Sequence, residues 1–323
     1  MPESASPSRL LPRTLRPGET IAIVAPSGAL APGSLDAATA RLEQAGFRVR
    51  CAADVYARRG YLSGESDAAK AVSLSAAFAD PTIRAVLCAK GGYGALRILP
   101  LVDWTAVRAN PKPFCGFSDI TALHQALRRE TGLVTFHGPM AVWDRDDAQP
   151  EWNSAGLITA LTATQPLGVV AAPAGATPTA TLVGGVAEGV LDGGNLSMLA
   201  ALCGTRWQPR FADGIVLLED THEAPYRVDR MLTQLVLAGA FADVRGVVFG
   251  DSPDCDRPPS PRGRTLNEVL LDRLGPLSVP LLYGFPCGHT AHRATLPLGV
   301  RARLNATAGT LTLLEPATAG DGG

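Results

Sequence analysis

Three residues that follow apolar, strand-like runs have the types that acyl transfer needs: a hydroxyl, a carboxylate and an imidazole. Ser118 stands in Gly116-Phe117-Ser118-Asp119, Glu219 ends the run before Asp220, and His289 follows the run 281–288. A serine hydroxyl is a weak nucleophile until a base takes its proton, and an imidazole serves as that base once a third group orients it. Each residue also has an ordinary reading. Serine at a strand-to-helix junction is a good helix N-cap. A carboxylate after a strand caps the next segment as readily as it orients a histidine, and a histidine there can be structural. Gly64-Glu65-Ser66-Asp67 repeats the G-x-S-D form, with Ser66 expected to cap the helix that follows.

Several other patterns are incomplete. Ile120 stands where the G-x-S-x-G hydrolase elbow needs glycine. Gly250-Asp251-Ser252 resembles a lipolytic motif that belongs near the start of a chain. The glycines of Lys90-Gly91-Gly92-Tyr93-Gly94 fit neither the P-loop nor the dinucleotide pattern. A pocket of backbone N–H groups facing an oxyanion suits them equally well. Cys287, His289 and His292 invite a metal reading, but neither HExxH nor paired CxxC supplies further ligands, and no metal or cofactor is expected.

The elements that must position these residues alternate. Strands are expected near 20–28, 47–55, 83–94, 112–119 and 133–140. Helices are expected at 35–46 and 67–79, and again just after Asp119. This alternation argues a parallel sheet covered on both faces, and ligands bind such sheets at the carboxyl ends of strands. Residues 1–163 form the expected N-terminal domain. The uncharged, proline-containing stretch 164–181 reads as a linker or extended crossing. Residues 182–323 then alternate strands and helices before ending in antiparallel strands. The fold class is α/β: an N-terminal parallel-sheet, flavodoxin/Rossmann-like domain plus a C-terminal mixed α/β domain with antiparallel strands.

Composition excludes several classes. The 323 residues are 46% hydrophobic and 18% charged, with net charge −1. A disordered chain is excluded, and no basic field advertises nucleic acid or an anionic membrane. The six cysteines are dispersed, without CxxC, which argues against a disulfide framework. The first twenty residues lack the apolar core of a signal peptide, and no apolar stretch is long enough to span a membrane. A soluble cytoplasmic protein is expected.

Taken together, the segments from about residue 18 to 305 resemble the LD-carboxypeptidase family, the muramoyltetrapeptide carboxypeptidases. The resemblance is carried by Ile23-Val24-Ala25-Pro26-Ser27-Gly28, Lys90 to Gly94, Gly116 to Asp119, Phe136-His137-Gly138-Pro139-Met140, Gly193-Gly194-Asn195-Leu196, Leu218-Glu219-Asp220, Pro225 to Leu232, and Gly288-His289. It implies a two-domain serine peptidase with Ser118 as nucleophile, Glu219 as acid and His289 as base. The oxyanion donors would be the backbone N–H groups of Gly92 and Asp119. It further implies a murein peptide substrate, release of terminal D-alanine in peptidoglycan recycling, and a homodimer. Lys90 departs from the arginine that relatives often carry. Arg227, Arg230 and Arg293 are candidates for the substrate's terminal carboxylate, though each could equally serve an ion pair. The alternatives are a microcin-type peptidyl-nucleotide hydrolase of the self-immunity branch and a non-enzymatic small-molecule binding protein.

Overall fold

In the computed structural model, which describes residues 7–142, 151–256 and 263–320, the chain divides into two units. One comprises Met1–Gln149, Leu157–Thr164 and Ala317–Gly323, the other Pro150–Gly156 and Gln165–Pro316.

The first unit contains β1 (Thr20–Val24), α1 (Asp36–Gln44), β2 (Arg48–Cys51), the short ribbon β3 (Arg58–Arg59) and β4 (Leu62–Ser63), α2 (Asp67–Ala79), β5 (Ile83–Cys88), α3 (Ala95–Ile98), α4 (Trp104–Ala109), β6 (Phe114–Gly116), α5 (Thr121–Thr131) and β7 (Thr135–His137). Its strands lie in the order β7-β6-β5-β1-β2, and every pairing among them is parallel. The runs TIAIV and IRAVLC bury nearly every residue, as strands covered on both faces must. The order is that of flavodoxin-like sheets. After β1 the chain moves to one side, and after β5 to the other. The crevice at the carboxyl ends of β1 and β5 is therefore the topological switch point, where such sheets bind ligands. The loops after these strands carry Ser27, Gly28 and Gly91 to Gly94. Ser66 caps α2 as expected, its Oγ accepting from the Ala69 N–H at 3.0 Å. Gly132, at φ 76°, ends α5 in the left-handed region.

α6 (Glu151–Thr162) contributes residues to both units. The second unit continues with β8 (Gly168–Val170), β9 (Ala180–Val183), β10 (Val186–Asn195), α7 (Leu196–Ala201), β11 (Gly214–Glu219), α8 (Pro225–Leu237), β12 (Gly246–Gly250), α9 (Leu266–Leu274), β13 (Leu281–Phe285), β14 (Leu296–Leu298), β15 (Arg301–Asn305) and β16 (Thr310–Leu313). Its eight-stranded sheet runs β8-β16-β15-β10-β11-β12-β13-β9. The centre, β10 to β13, is parallel, and the flanks are antiparallel. The stretch 164–181, expected as a linker or extended crossing, contains the edge strand β8 and the first two residues of the other edge strand, β9. Its valines and threonines favour extended pairing, and only one side of each strand needs a partner. The core gathers the apolar stripes of α8 and α9, with Val228, Leu232, Leu235, Leu266 and Leu270 fully buried against β11 and β12.

Close packing explains a glycine of the Gly193-Gly194-Asn195 run. Gly193 lies at φ 129°, and a Cβ there would come within 2.9 Å of the Leu217 backbone on β11. Gly193→Ala must push β10 away from β11. A loss of at least about 2 kcal/mol of stability is expected in urea unfolding, and an unchanged midpoint would contradict this packing.

Candidate active site

The nucleophile candidate sits on a distorted turn. β6 is fully buried and Phe117 is extended, at φ −155°. Ser118 then turns to φ 63°, the left-handed region, and opens a short 3-10 turn, Ser118–Ile120, that leads into α5. A non-glycine residue there costs of order 1–3 kcal/mol and persists only where its surroundings impose it. An N-cap serine needs no such backbone. Ser66, its twin in local sequence, is extended at φ −154° and caps α2. The two G-x-S-D segments thus fold differently.

Buried neighbours impose the turn on Ser118. The Gly116 carbonyl accepts from the Gly138 N–H at 3.1 Å and pairs with His124 Nε2 at 2.9 Å. Burial pushes the His124 pKa down to about 3, so the ring is neutral. Because a carbonyl can only accept, the proton sits on Nε2, and Nδ1 accepts from Thr135 Oγ1, 2.9 Å away. On the other side, Asp119 Oδ2 accepts from Ser27 Oγ and from the Ala95 N–H at 2.8 Å. Burial holds the Asp119 pKa above the usual carboxylate range despite these donors.

The glycine loop closes on the serine. Gly28 N–H donates to the Gly91 carbonyl at 2.9 Å, tying the loop after β1 to the loop after β5. A Cβ on Gly91 would lie 3.0 Å from Ser118 Cβ and 3.1 Å from Oγ. Gly92 follows at φ 106°. Ser118, Asp119 and the Gly91–Gly92 loop therefore occupy one cluster at the carboxyl ends of β5 and β6. N–H groups in a first helical turn have no intrahelical acceptor, so the Asp119 N–H suits developing negative charge.

The second unit holds the candidate carboxylate and imidazole. Glu219 ends β11 with its side chain fully buried, and its Oε2 lies 2.7 Å from Nδ1 of His289, which retains 21% exposure. Burial disfavours charge on His289, but the Glu219 charge and hydrogen bond outweigh it, and the pKa is raised. Glycine is obligatory beside this pair. Gly288 lies at φ 86°, and a Cβ there would sit 2.7 Å from Glu219 Cβ and Cγ. Asp220 is buried next to Glu219. Burial first and the Glu219 charge second push its pKa up to about 6. It accepts from Ser197 N–H at 2.9 Å, Ser197 Oγ at 2.7 Å and Asn195 Nδ2 at 3.1 Å. Ser252 is a structural part of this end. Its Oγ donates to the Gly250 carbonyl and accepts from the Asp220 N–H, each at 3.3 Å.

The three candidate arginines fall in two environments. Arg227 and Arg230 are exposed on α8, and Arg227 pairs with Glu223 at 3.5 Å. Arg293 is fully buried, with its guanidinium on the carbonyls of Gly288 and Thr290. Cys287 is also buried, and burial pushes its thiol well above the ordinary range. His292 packs edge-on to Trp152, with ring centroids 6.4 Å apart. His124 and Asn153 were not singled out from sequence, and neither the bond of Ser27 to Asp119 nor the inward role of Arg293 was read there. Their only signal was position, after strand ends or near motif residues.

Residues 21–138 match the LD-carboxypeptidase N-terminal domain, and residues 188–304 match its C-terminal domain. The chain belongs to the LD-carboxypeptidase family. It is 36% identical to a Bacillus subtilis protein named "Probable murein peptide carboxypeptidase", over 91% of each chain. It is similar to the crystal structure of muramoyltetrapeptide carboxypeptidase from Oxalobacter formigenes, at TM-score 0.78 and 32% identity, covering 91% of this chain and 97% of that one. It also resembles the microcin C7 self-immunity protein MccF of Escherichia coli, at 27% identity over 70% of this chain and 72% of that one. A structure of MccF in complex with glutamyl sulfamoyl guanosine aligns at TM-score 0.87 and 26% identity, covering 96% of this chain and all of that one.

In this LD-carboxypeptidase the Gly91–Ser118 contact is testable. Gly91→Ala crowds the hydroxyl and displaces it. Peptidase activity is expected to fall about a hundredfold, the size of effect a displacement near 1 Å produces, with the fold retained by circular dichroism. Wild-type turnover in this variant would place the reacting hydroxyl elsewhere.

Proposed function

We propose that the protein is a serine-type LD-carboxypeptidase that releases terminal D-alanine from murein tetrapeptide, with Ser118, His289 and Glu219 as nucleophile, base and orienting acid. The backbone of Ser118 carries the reading. A serine held at φ 63° beside Gly91, where its twin Ser66 is an ordinary cap, suits an exposed nucleophile better than a structural turn.

The chemistry follows from the groups present. His289 Nε2 takes the Ser118 proton while Nδ1–H donates to Glu219. Ser118 Oγ attacks the carbonyl of the L-centre, and negative charge develops on its oxygen. The N–H groups of Gly92 and Asp119 receive that charge. The imidazolium returns the proton to the departing amine, D-alanine leaves, and an acyl-enzyme remains. Water, deprotonated by His289, hydrolyses the ester and regenerates Ser118. Glu219 stays ionised and stabilises the imidazolium. Arg227 and Arg230 remain the exposed candidates for the terminal carboxylate. The reading also includes a homodimer and a cytoplasmic location. Six free thiols are in keeping with a reducing compartment, and among the described residues no helix is long and apolar enough to cross a membrane.

Product analysis with muropeptides tests the substrate. Tetrapeptide ending in D-alanine is expected to be cleaved, and its L-alanine isomer left intact, because exchange of methyl and carboxylate leaves a binding group unpaired. Cleavage of a peptidyl-sulfamoyl nucleoside in place of the tetrapeptide would transfer the assignment to the MccF-like branch. Ser118→Ala should lower turnover on the order of 10⁴-fold, whereas Ser66→Ala should keep it.

The pH profile tests the base. His289 must be neutral to accept a proton, so activity is lost as pH falls through its raised pKa. The acid limb of kcat is expected to have its midpoint above about 6.5, the unperturbed histidine value. Glu219→Gln removes the charge that raises it. The midpoint should then move down while the plateau rate falls, and a midpoint unmoved by this substitution would exclude His289 as the titrating group.

A further inference from the structure

We propose that Arg293 is a positioning residue for His289: together with Asn153 it clamps the backbone on both sides of the histidine and so seats the imidazole on Glu219. The inference rests on the reading of His289 as general base.

His289 lies in the loop after β13, where no ladder holds the chain. The Arg293 side chain folds back under this loop and is fully buried. Its Nε donates to the Gly288 carbonyl and its Nη2 to the Thr290 carbonyl, the latter at 2.6 Å. These are the residues immediately before and after His289. Asn153, itself buried, holds the next turn. Its Oδ1 accepts from the Arg293 N–H at 2.8 Å, and its Nδ2 donates to the Ala291 carbonyl at 2.9 Å. The Ala294 N–H closes the loop on the Pro286 carbonyl at 2.8 Å.

Burying a guanidinium is expensive, and the fork here is used on the loop's own backbone. Its planar donors reach two carbonyls at once, which a lysine ammonium at the end of a flexible stem does not reproduce. A buried guanidinium on two carbonyls is also not presented to a carboxylate arriving from solvent. Among the described residues, the charges of Glu219 and Asp220 favour the charged imidazole of His289 and that of Arg293 disfavours it. Arg293→Lys preserves the positive charge, so any change in His289 reports its seating.

The experiment titrates selectively labelled histidines by NMR in the full chain, alongside kinetics on murein tetrapeptide, for wild type, Arg293→Lys and Asn153→Ala. In Arg293→Lys the His289 midpoint should fall toward about 6.5 as the imidazole leaves Glu219. Turnover should drop roughly a hundredfold, with KM changed by less than about threefold, since no substrate contact is lost. Asn153→Ala should move both quantities the same way by less. If Arg293→Lys does not fold, the His289 midpoint in Asn153→Ala decides alone. A His289 midpoint that stays at the wild-type value in the folded variants overturns the proposal, as does a rise in KM with kcat intact. Should His289→Ala retain activity, the general-base reading fails, while the titration still decides whether Arg293 seats the ring.

Discussion

A carboxylate with no solvent exposure at the end of a parallel strand is the constraint on which the second unit's chemistry depends. Glu219 cannot be buried as an anion without donors, and His289 Nδ1 at 2.7 Å is one of them. Around this contact the packing tolerates no added carbon. Gly288 and Gly250 are both places where a Cβ would strike Glu219 or Cys287. Tight glycine packing brings the loops after β12 and β13 down onto the end of β11. The imidazole is left partly exposed.

The first unit solves a related problem with neutral partners. Ser118 is held in an unfavourable backbone conformation by what surrounds it, not by its own preference. The Gly116 carbonyl is gripped by Gly138 and by a histidine whose burial keeps it uncharged. Asp119 gathers donors from the loops after β1 and β5. The switch point of the sheet is therefore wired together before any substrate arrives. Such preorganisation is what an oxyanion site requires, because donors that must reorient during reaction stabilise the charge less.

Three acidic residues follow strands in these clusters, and each has a different set of partners. Asp119 accepts from a serine hydroxyl and a backbone N–H. Asp220 accepts from Asn195 and Ser197. Glu219 faces a histidine. Burial raises the pKa of the first two, while the third raises the pKa of its partner. Buried carboxylates thus behave differently according to the donors that surround them.

The alternation of strands and helices was legible in the sequence, because apolar runs and their spacing are local properties of the chain. So were the residue types that follow each strand, and the family resemblance that singled out Ser118, Glu219 and His289. The edge strands β8 and β9 were not, since the uncharged stretch 164–181 acquires its structure only by pairing with β16 and β13. Nor could local sequence separate Ser118 from Ser66. Their motifs are alike, and only contacts from Gly91, His124 and Ser27 turn one into an elbow. Glu219 and His289 are 70 positions apart, and Ser27 and Asp119 are 92 apart. Arg293 read as a possible substrate contact because an arginine near a motif is equally able to face in or out. Its direction was decided by carbonyls that exist as acceptors only once the loop around His289 has folded over it.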